Sequence, residues 1–161
     1  MKSRKSLWVS MSIFVFLIFS SLMWKAWAGD EKPQNCSLFT QKEVAEIMGK
    51  AVKPGKESAL GCGWIPKGET LSYLTVFIKR DSRTAKKAVG APQARFKIID
   101  VSGVGDDAVA VVEKSSNEVM DMYVHKGKYL VRLNMTFLEV PTTGRKFERL
   151  KKVVKKAVNR L

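Results

Sequence analysis

Apolar and polar positions alternate with a period of two along much of this chain. In Leu71–Lys79, Leu74, Val76 and Ile78 fall on one side, with Leu71, Tyr73, Thr75 and Phe77 on the other. Apolar residues on both sides predict a central strand covered at least in part on each face. Cys62–Ile65, Phe96–Val101 and Ala108–Glu113 predict further strands, divided by Pro66-Lys67-Gly68, Ser102–Asp107 and Lys114–Asn117. Glu118–His125 and Lys128–Leu138 predict a hairpin around Lys126-Gly127. That turn sets His125 opposite Lys128, Tyr123 opposite Leu130, Asp121 opposite Arg132 and Met122 facing Val131. Met120, Met122, Val124, Tyr129, Val131 and Leu133 then share one nearly pure apolar face. A one-residue slip would mix the two faces.

Two stretches change to helical spacing. Thr40 and Glu43 form a capping box, Val44, Ala45, Ile47 and Met48 make an apolar face, and Gly49 stops the helix. Lys50–Gly61 reads as a loop, and Arg83–Val89 has weak helical character before Gly90-Ala91-Pro92. After Pro141–Gly144, Phe147, Leu150, Val153, Val154, Ala157, Val158 and Leu161 recur as one stripe. The expected fold is α+β: a single antiparallel sheet of about five to six strands. An N-terminal helix and a long C-terminal helix pack on it, and residues 36–161 form one domain.

The N-terminus follows a different pattern. Lys2, Arg4 and Lys5 precede an apolar stretch from Leu7 to Trp24, and Ala26-Trp27-Ala28 offers small residues where a signal peptidase reads. Residues 1–28 thus read as a signal peptide cleaved after Ala28, with 29–35 a flexible lead-in to a periplasmic or secreted domain. The alternative is an uncleaved anchor, which Lys25 would suit and which the serines of the apolar stretch weaken. Either way the domain lies outside the cytoplasm.

That compartment changes how the cysteines read. Cys36 and Cys62 are the only two, and an even count in an oxidising environment predicts one disulfide. Closing this 27-residue loop contributes about 3.5 kcal/mol by loop-closure entropy. With a single histidine, the chain lacks the four Cys/His ligands of an ordinary zinc site. Residues 29–161 carry 25 basic and 15 acidic side chains, a net charge of +10 against +14 for the whole chain. Such a charge favours acidic partners. It is densest on the terminal helix, where Lys151, Lys152, Lys155 and Lys156 are expected to point outward. They form a candidate face for an anionic cell-envelope polymer or lipid; no specific nucleic-acid motif accompanies them.

No catalytic constellation or cofactor motif emerges. His125, at a hairpin end beside Lys128, is expected in solvent, and no Gly-x-Ser-x-Gly elbow occurs. Gly103-Val104-Gly105-Asp106-Asp107 has two glycines of a phosphate loop but leads into a strand. It reads as a turn with glycines at positive φ and an aspartate bonded to local backbone. Trp64, two residues after Cys62, is expected to pack on the disulfide.

Cys36-Ser37-Leu38-Phe39-Thr40, Glu43-Val44, Ile47-Met48-Gly49, Cys62-Gly63-Trp64 and Gly103–Ala108 occur in this order. The assembly resembles a small exported bacterial domain of unknown function, found in secreted lipoproteins and, in a related form, as the extracellular sensor domain of some membrane kinases. The resemblance covers about Asn35 to Leu161 and implies an antiparallel sheet with packed helices and a non-enzymatic binding or sensing role. The chain lacks a lipid-attachment cysteine and any kinase region, so anchoring and signalling do not carry over. The expected protein is a monomeric, exported binding or accessory domain for a small molecule or protein. The alternative is a cationic binder of anionic polymer, lipid or DNA, and an enzyme stands third.

Overall fold

The computed structural model describes residues 34–161. The expected signal peptide, and the lead-in up to Pro33, lie outside the described residues. A single 3-10 turn, Asn35–Ser37, opens the described chain, followed by helix α1, Gln41–Met48. The Thr40–Glu43 capping box is present in both directions, and Gly49 ends the helix at φ 69°.

Seven strands form one antiparallel sheet: β1 Lys56–Ser58, β2 Gly61–Trp64, β3 Tyr73–Arg80, β4 Phe96–Asp100, β5 Asp107–Glu113, β6 Val119–Lys126 and β7 Tyr129–Thr136. Their spatial order is β1-β2-β3-β7-β6-β5-β4. Helix α2, Ala85–Val89, lies between β3 and β4, and helix α3, Arg145–Val158, closes the chain.

Ladder positions assign the two faces. Cys62, Val76, Leu133, Met122, Ala110 and Ile99 run across the sheet in register. These residues belong to one core with Val44 and Ile47 of α1 and Phe147, Leu150, Val153, Val154, Ala157 and Val158 of α3. At about 25 cal/mol per Å² of apolar surface, this sandwich of two helices on a sheet is the main driving force of the fold. Among the described residues, one helix packs on the opposite face. α2 seals Ala85 against Val109 and Leu130, with Ile98 and Tyr123 at the margin. The β3 side of that face has no helix over it among the described residues.

The α+β class and single antiparallel sheet agree with the expectation; the strand count is seven rather than five to six. The extra strand, β1, falls in the expected loop. Its three residues, Lys-Glu-Ser, are all exposed, so no apolar alternation marks it. A short charged edge strand of this kind resists pairing with other chains. The weak helical stretch after Arg83 is a real five-residue helix, with Thr84 capping it. Asn35, counted with the flexible lead-in, is buried. Its Oδ1 accepts from the Ile78 amide at 2.7 Å, and its Nδ2 donates to Glu57.

The β6–β7 hairpin is shifted by two residues from the expected register. The turn is Gly127-Lys128, with Lys126 opposite Tyr129, Tyr123 opposite Arg132, Asp121 opposite Asn134, and Met122 opposite Leu133 rather than Val131. Gly127 takes φ 57° in the first turn position, the place a two-residue hairpin reserves for glycine. A two-residue shift keeps every side chain on its own face, so alternation alone does not select between the registers. Met120 is also displaced. A bulge makes Val112 pair with Val119 while Val111 pairs with Asp121. Val119 is therefore the buried residue and Met120 is only half-buried.

Candidate functional site

The half of the second sheet face that no described helix covers holds a groove of about 470 Å3. Tyr73, Thr75 and Phe77 of β3 and Arg132 and Asn134 of β7 line it, and Ala59 and Leu60 of the β1–β2 turn overhang it. These residues share a face because β3 and β7 pair Thr75 with Asn134 and Phe77 with Arg132. Gly61 makes the overhang possible. Its φ is 109°, and a Cβ there would lie 2.3 Å from the Val76 carbonyl oxygen.

Behind the groove the polar groups are organised. Arg132 Nε donates to Asp121 Oδ1 at 2.8 Å, and Asn134 Nδ2 donates to the same oxygen at 3.1 Å. Asp121 and Arg132 sit diagonally rather than directly opposite, yet the expected pair forms. The guanidinium carbon lies 5.5 Å from the Tyr123 ring centroid. Asp121 raises the Arg132 pKa above its ordinary value, so the group stays cationic throughout the physiological range. Its two Nη atoms form no hydrogen bond with the described residues and are donors available to a ligand. The site thus combines aromatic walls, a hydroxyl, an amide and a guanidinium fork with the Asp121 carboxylate beside them, groups able to hold an organic ligand.

The other sequence candidates lie elsewhere. Cys36 and Cys62 form the expected disulfide, with Cα atoms 4.9 Å apart, tying the chain entry to β2. Such a bond belongs to an oxidising environment outside the cytoplasm. Glu57 lies close to both sulfurs, but its oxygens accept from Asn35 and the Cys36 amide, and the thiols are consumed by their bond. Trp64 is buried against the edge of Phe39 with centroids 6.4 Å apart, and is no ligand platform. A Cβ on Gly55 would touch both the indole and Cys62 Sγ, so the Trp packs beside the bridge as expected.

His125 departs from its expected solvent position. β5 and β7 flank it, opposite Asp107 and Leu130, and its Nε2 is buried without a hydrogen-bond partner among the described residues. Gly103 and Gly105 do take positive φ, at 77° and 62°. The aspartates after them, however, reach across the fold rather than to local backbone. Asp106 accepts from the Gly127 amide at 2.7 Å and Lys126 Nζ at 2.8 Å; these bonds hold its pKa below the ordinary value. Asp107 accepts from the Ala85 amide at the start of α2. The segment fastens a hairpin turn and a helix, with β5, not a helix, following it.

On α3 the four expected lysines separate. Lys152 and Lys155 are exposed and form no ion pair among the described residues. Lys151 is half-buried, 2.8 Å from Glu148 and 5.5 Å from the Phe147 ring centroid. Lys156 is exposed but lies 3.1 Å from Glu43 Oε1. Glu43 also takes both Arg160 nitrogens, at 2.9 and 2.8 Å, and Arg160 donates in addition to the Leu38 carbonyl. The groove was not found from the sequence. Its only trace was a polar Arg-x-Asn-x-Thr alternation in β7, facing aromatic and hydroxyl positions in β3.

Comparison with known protein families, with curated proteins and with solved structures finds no match to this chain.

Proposed function

We propose that this chain is an exported, non-enzymatic binding module that holds an organic ligand in the β3–β7 groove. The groove carries this reading: aromatic walls for an apolar body stand beside a guanidinium with two donors to spare. The disulfide supports export, and the N-terminal apolar segment supplies the signal or, in its alternative role, an anchor. The resemblance to extracellular sensor domains agrees with binding without turnover. The natural occupant is a small molecule or peptide end with an acidic head and an apolar body, since this chemistry matches both halves of the groove.

Amide-shift mapping with phenylacetate and octanoate tests the reading. The expected result is saturable shifts at Tyr73, Thr75, Phe77, Arg132 and Asn134, with both probes recovered unchanged. Arg132→Gln is expected to weaken binding about tenfold, because a charge-assisted hydrogen bond contributes about 1.5–3 kcal/mol. Shifts absent or scattered over the molecule would reject the groove, and chemical conversion of a probe would reject the non-enzymatic role.

One observation favours a second reading. Arg145, Arg149, Lys152 and Lys155 are exposed along α3 without ion pairs among the described residues, a basic face fit for an anionic polymer. Lys152→Gln/Lys155→Gln is expected to elute earlier from immobilised heparin, with a flatter salt dependence and no loss of stability. Unchanged elution would make that face a solvated surface only.

A further inference from the structure

Most large apolar side chains left exposed among the described residues gather at one end of the sheet. Leu71 is 74% exposed just before β3, and Phe137 is 72% exposed just after β7. The pairing of Tyr73 with Thr136 places them at the same end, and Ile65, following β2, is exposed there too. The backbone around Phe137 is unusual. Phe137 and Glu139 take φ of 54° and 48°, a region that side chains with a Cβ avoid and aromatic residues avoid most. The conformation is held on its far side. Val119 donates to the Val140 carbonyl, Glu118 bridges to Pro141, and Lys146 Nζ donates to the Glu139 carbonyl. Within this turn Leu138 packs on the core while Phe137 is turned outward. Strained backbone that presents an aromatic ring to water has no folding rationale, since burial of that ring would stabilise the fold.

Three lysines and two glutamates lie around this tip. Lys50, Ser72, Phe137 and Lys146 line one cavity of about 150 Å3. Lys67 lies on the adjoining turn, where its amide bonds the Ala51 carbonyl. Glu69 and Glu139 are the acids of the cavity wall, and Glu69 is engaged by Lys50. Residues 34–161 as a whole carry 24 basic against 13 acidic side chains.

We propose that this end of the sheet docks on an anionic lipid bilayer. Leu71 and Phe137 insert at the headgroup boundary, and Lys50, Lys67 and Lys146 lie against the acidic headgroups. Protruding apolar side chains with lysines beside them suit a lipid interface, which accepts them without shape complementarity and lets lysine stems follow them in. A protein partner would need a continuous complementary surface, whereas these side chains project from separate turns. The tip is distinct from the ligand groove, so this proposal stands or falls without it.

Hydrogen–deuterium exchange of the full chain tests it, with phosphatidylcholine vesicles compared against vesicles containing 30% phosphatidylglycerol. Exchange is read segment by segment, so contact made by the tip is told apart from contact made by the N-terminal segment or by the basic face of α3. Slower exchange in residues 66–73 and 136–140 is expected with the anionic vesicles only. Leu71→Ser/Phe137→Ser is expected to abolish that protection while keeping the unfolding midpoint, since both side chains are exposed. Equal protection on neutral vesicles, no protection on either, or protection that survives the double substitution would each overturn the proposal. Protection of the same segments without lipid, rising with protein concentration, would overturn it in favour of a protein partner.

Discussion

Replacing Cys62 with alanine lowers the unfolding free energy by about 2–5 kcal/mol, the usual loss for a native bridge in a small secreted domain. A domain of this size typically has about 5–15 kcal/mol in total, so the loss is a large share. Two effects add here. The unfolded chain regains the freedom of a 27-residue loop. The folded chain loses a fully buried side chain that packs close to Gly55 and Trp64. Urea unfolding of oxidised, reduced and Cys62→Ala protein separates the two, because reduction removes the first and leaves most of the second intact. An oxidised midpoint equal to that of Cys62→Ala would mean that the Asn35 bonds to Ile78 and Glu57 hold the chain entry unaided.

Acid should weaken this fold through Glu43. Its carboxylate caps α1, is only 5% exposed, and is gripped by Arg160 and Lys156 of the C-terminal segment. Arg160 first, then the Thr40 amide and Lys156, outweigh the effect of burial and hold its pKa far below the ordinary 4.5. A carboxyl lowered in the folded state contributes stability that is complete above the unfolded pKa. That contribution is lost as pH falls through 4.5 toward the folded value. Glu43→Gln is expected to cost about 2–3 kcal/mol at pH 7, as charge-assisted bonds are lost and Arg160 is left unpaired. The variant should also lose less stability than the wild type between pH 5 and pH 3, where the unfolded carboxyl takes up its proton while the folded one stays ionised. Parallel stability–pH curves for the two proteins would assign the acid sensitivity to other carboxylates.

The fold was legible wherever one residue type has one physical meaning. The Thr40–Glu43 box, the stripe of α3 and the two cysteines each match the structure. Errors arose where the signal is degenerate. The β6–β7 register differs by two residues because a period-two pattern is unchanged by a shift of two. The bulge at Met120 is not legible in the sequence because Val119 and Met120 are both apolar and only ladder geometry chooses between them. β1 is invisible because an edge strand exposed on all three residues has no buried side to declare itself. The groove is harder still to read. It is assembled from β3, β7 and an overhanging turn, and its location depends on which half of the sheet the five-residue α2 leaves bare. Its residues are half-exposed polar and aromatic positions, which local sequence treats as ordinary surface.

The strand order has a consequence for the time course of folding. β1–β2–β3 and β4–β5–β6 are each a meander of sequence neighbours, and β7, the last strand synthesised, inserts between β3 and β6 to join them. Until β7 joins, the folding chain can hold at most two half-sheets, whose inner edges become the middle of the sheet. The pairing of Tyr73 with Thr136 is among the most distant in sequence and closes the longest loop of the sheet. Such non-local closure slows folding and exposes unpaired edges while it waits. A chain truncated between β6 and β7 is therefore expected to leave adhesive halves rather than a shortened native domain. The keystone of the architecture is laid last but one, and α3 then locks it from above.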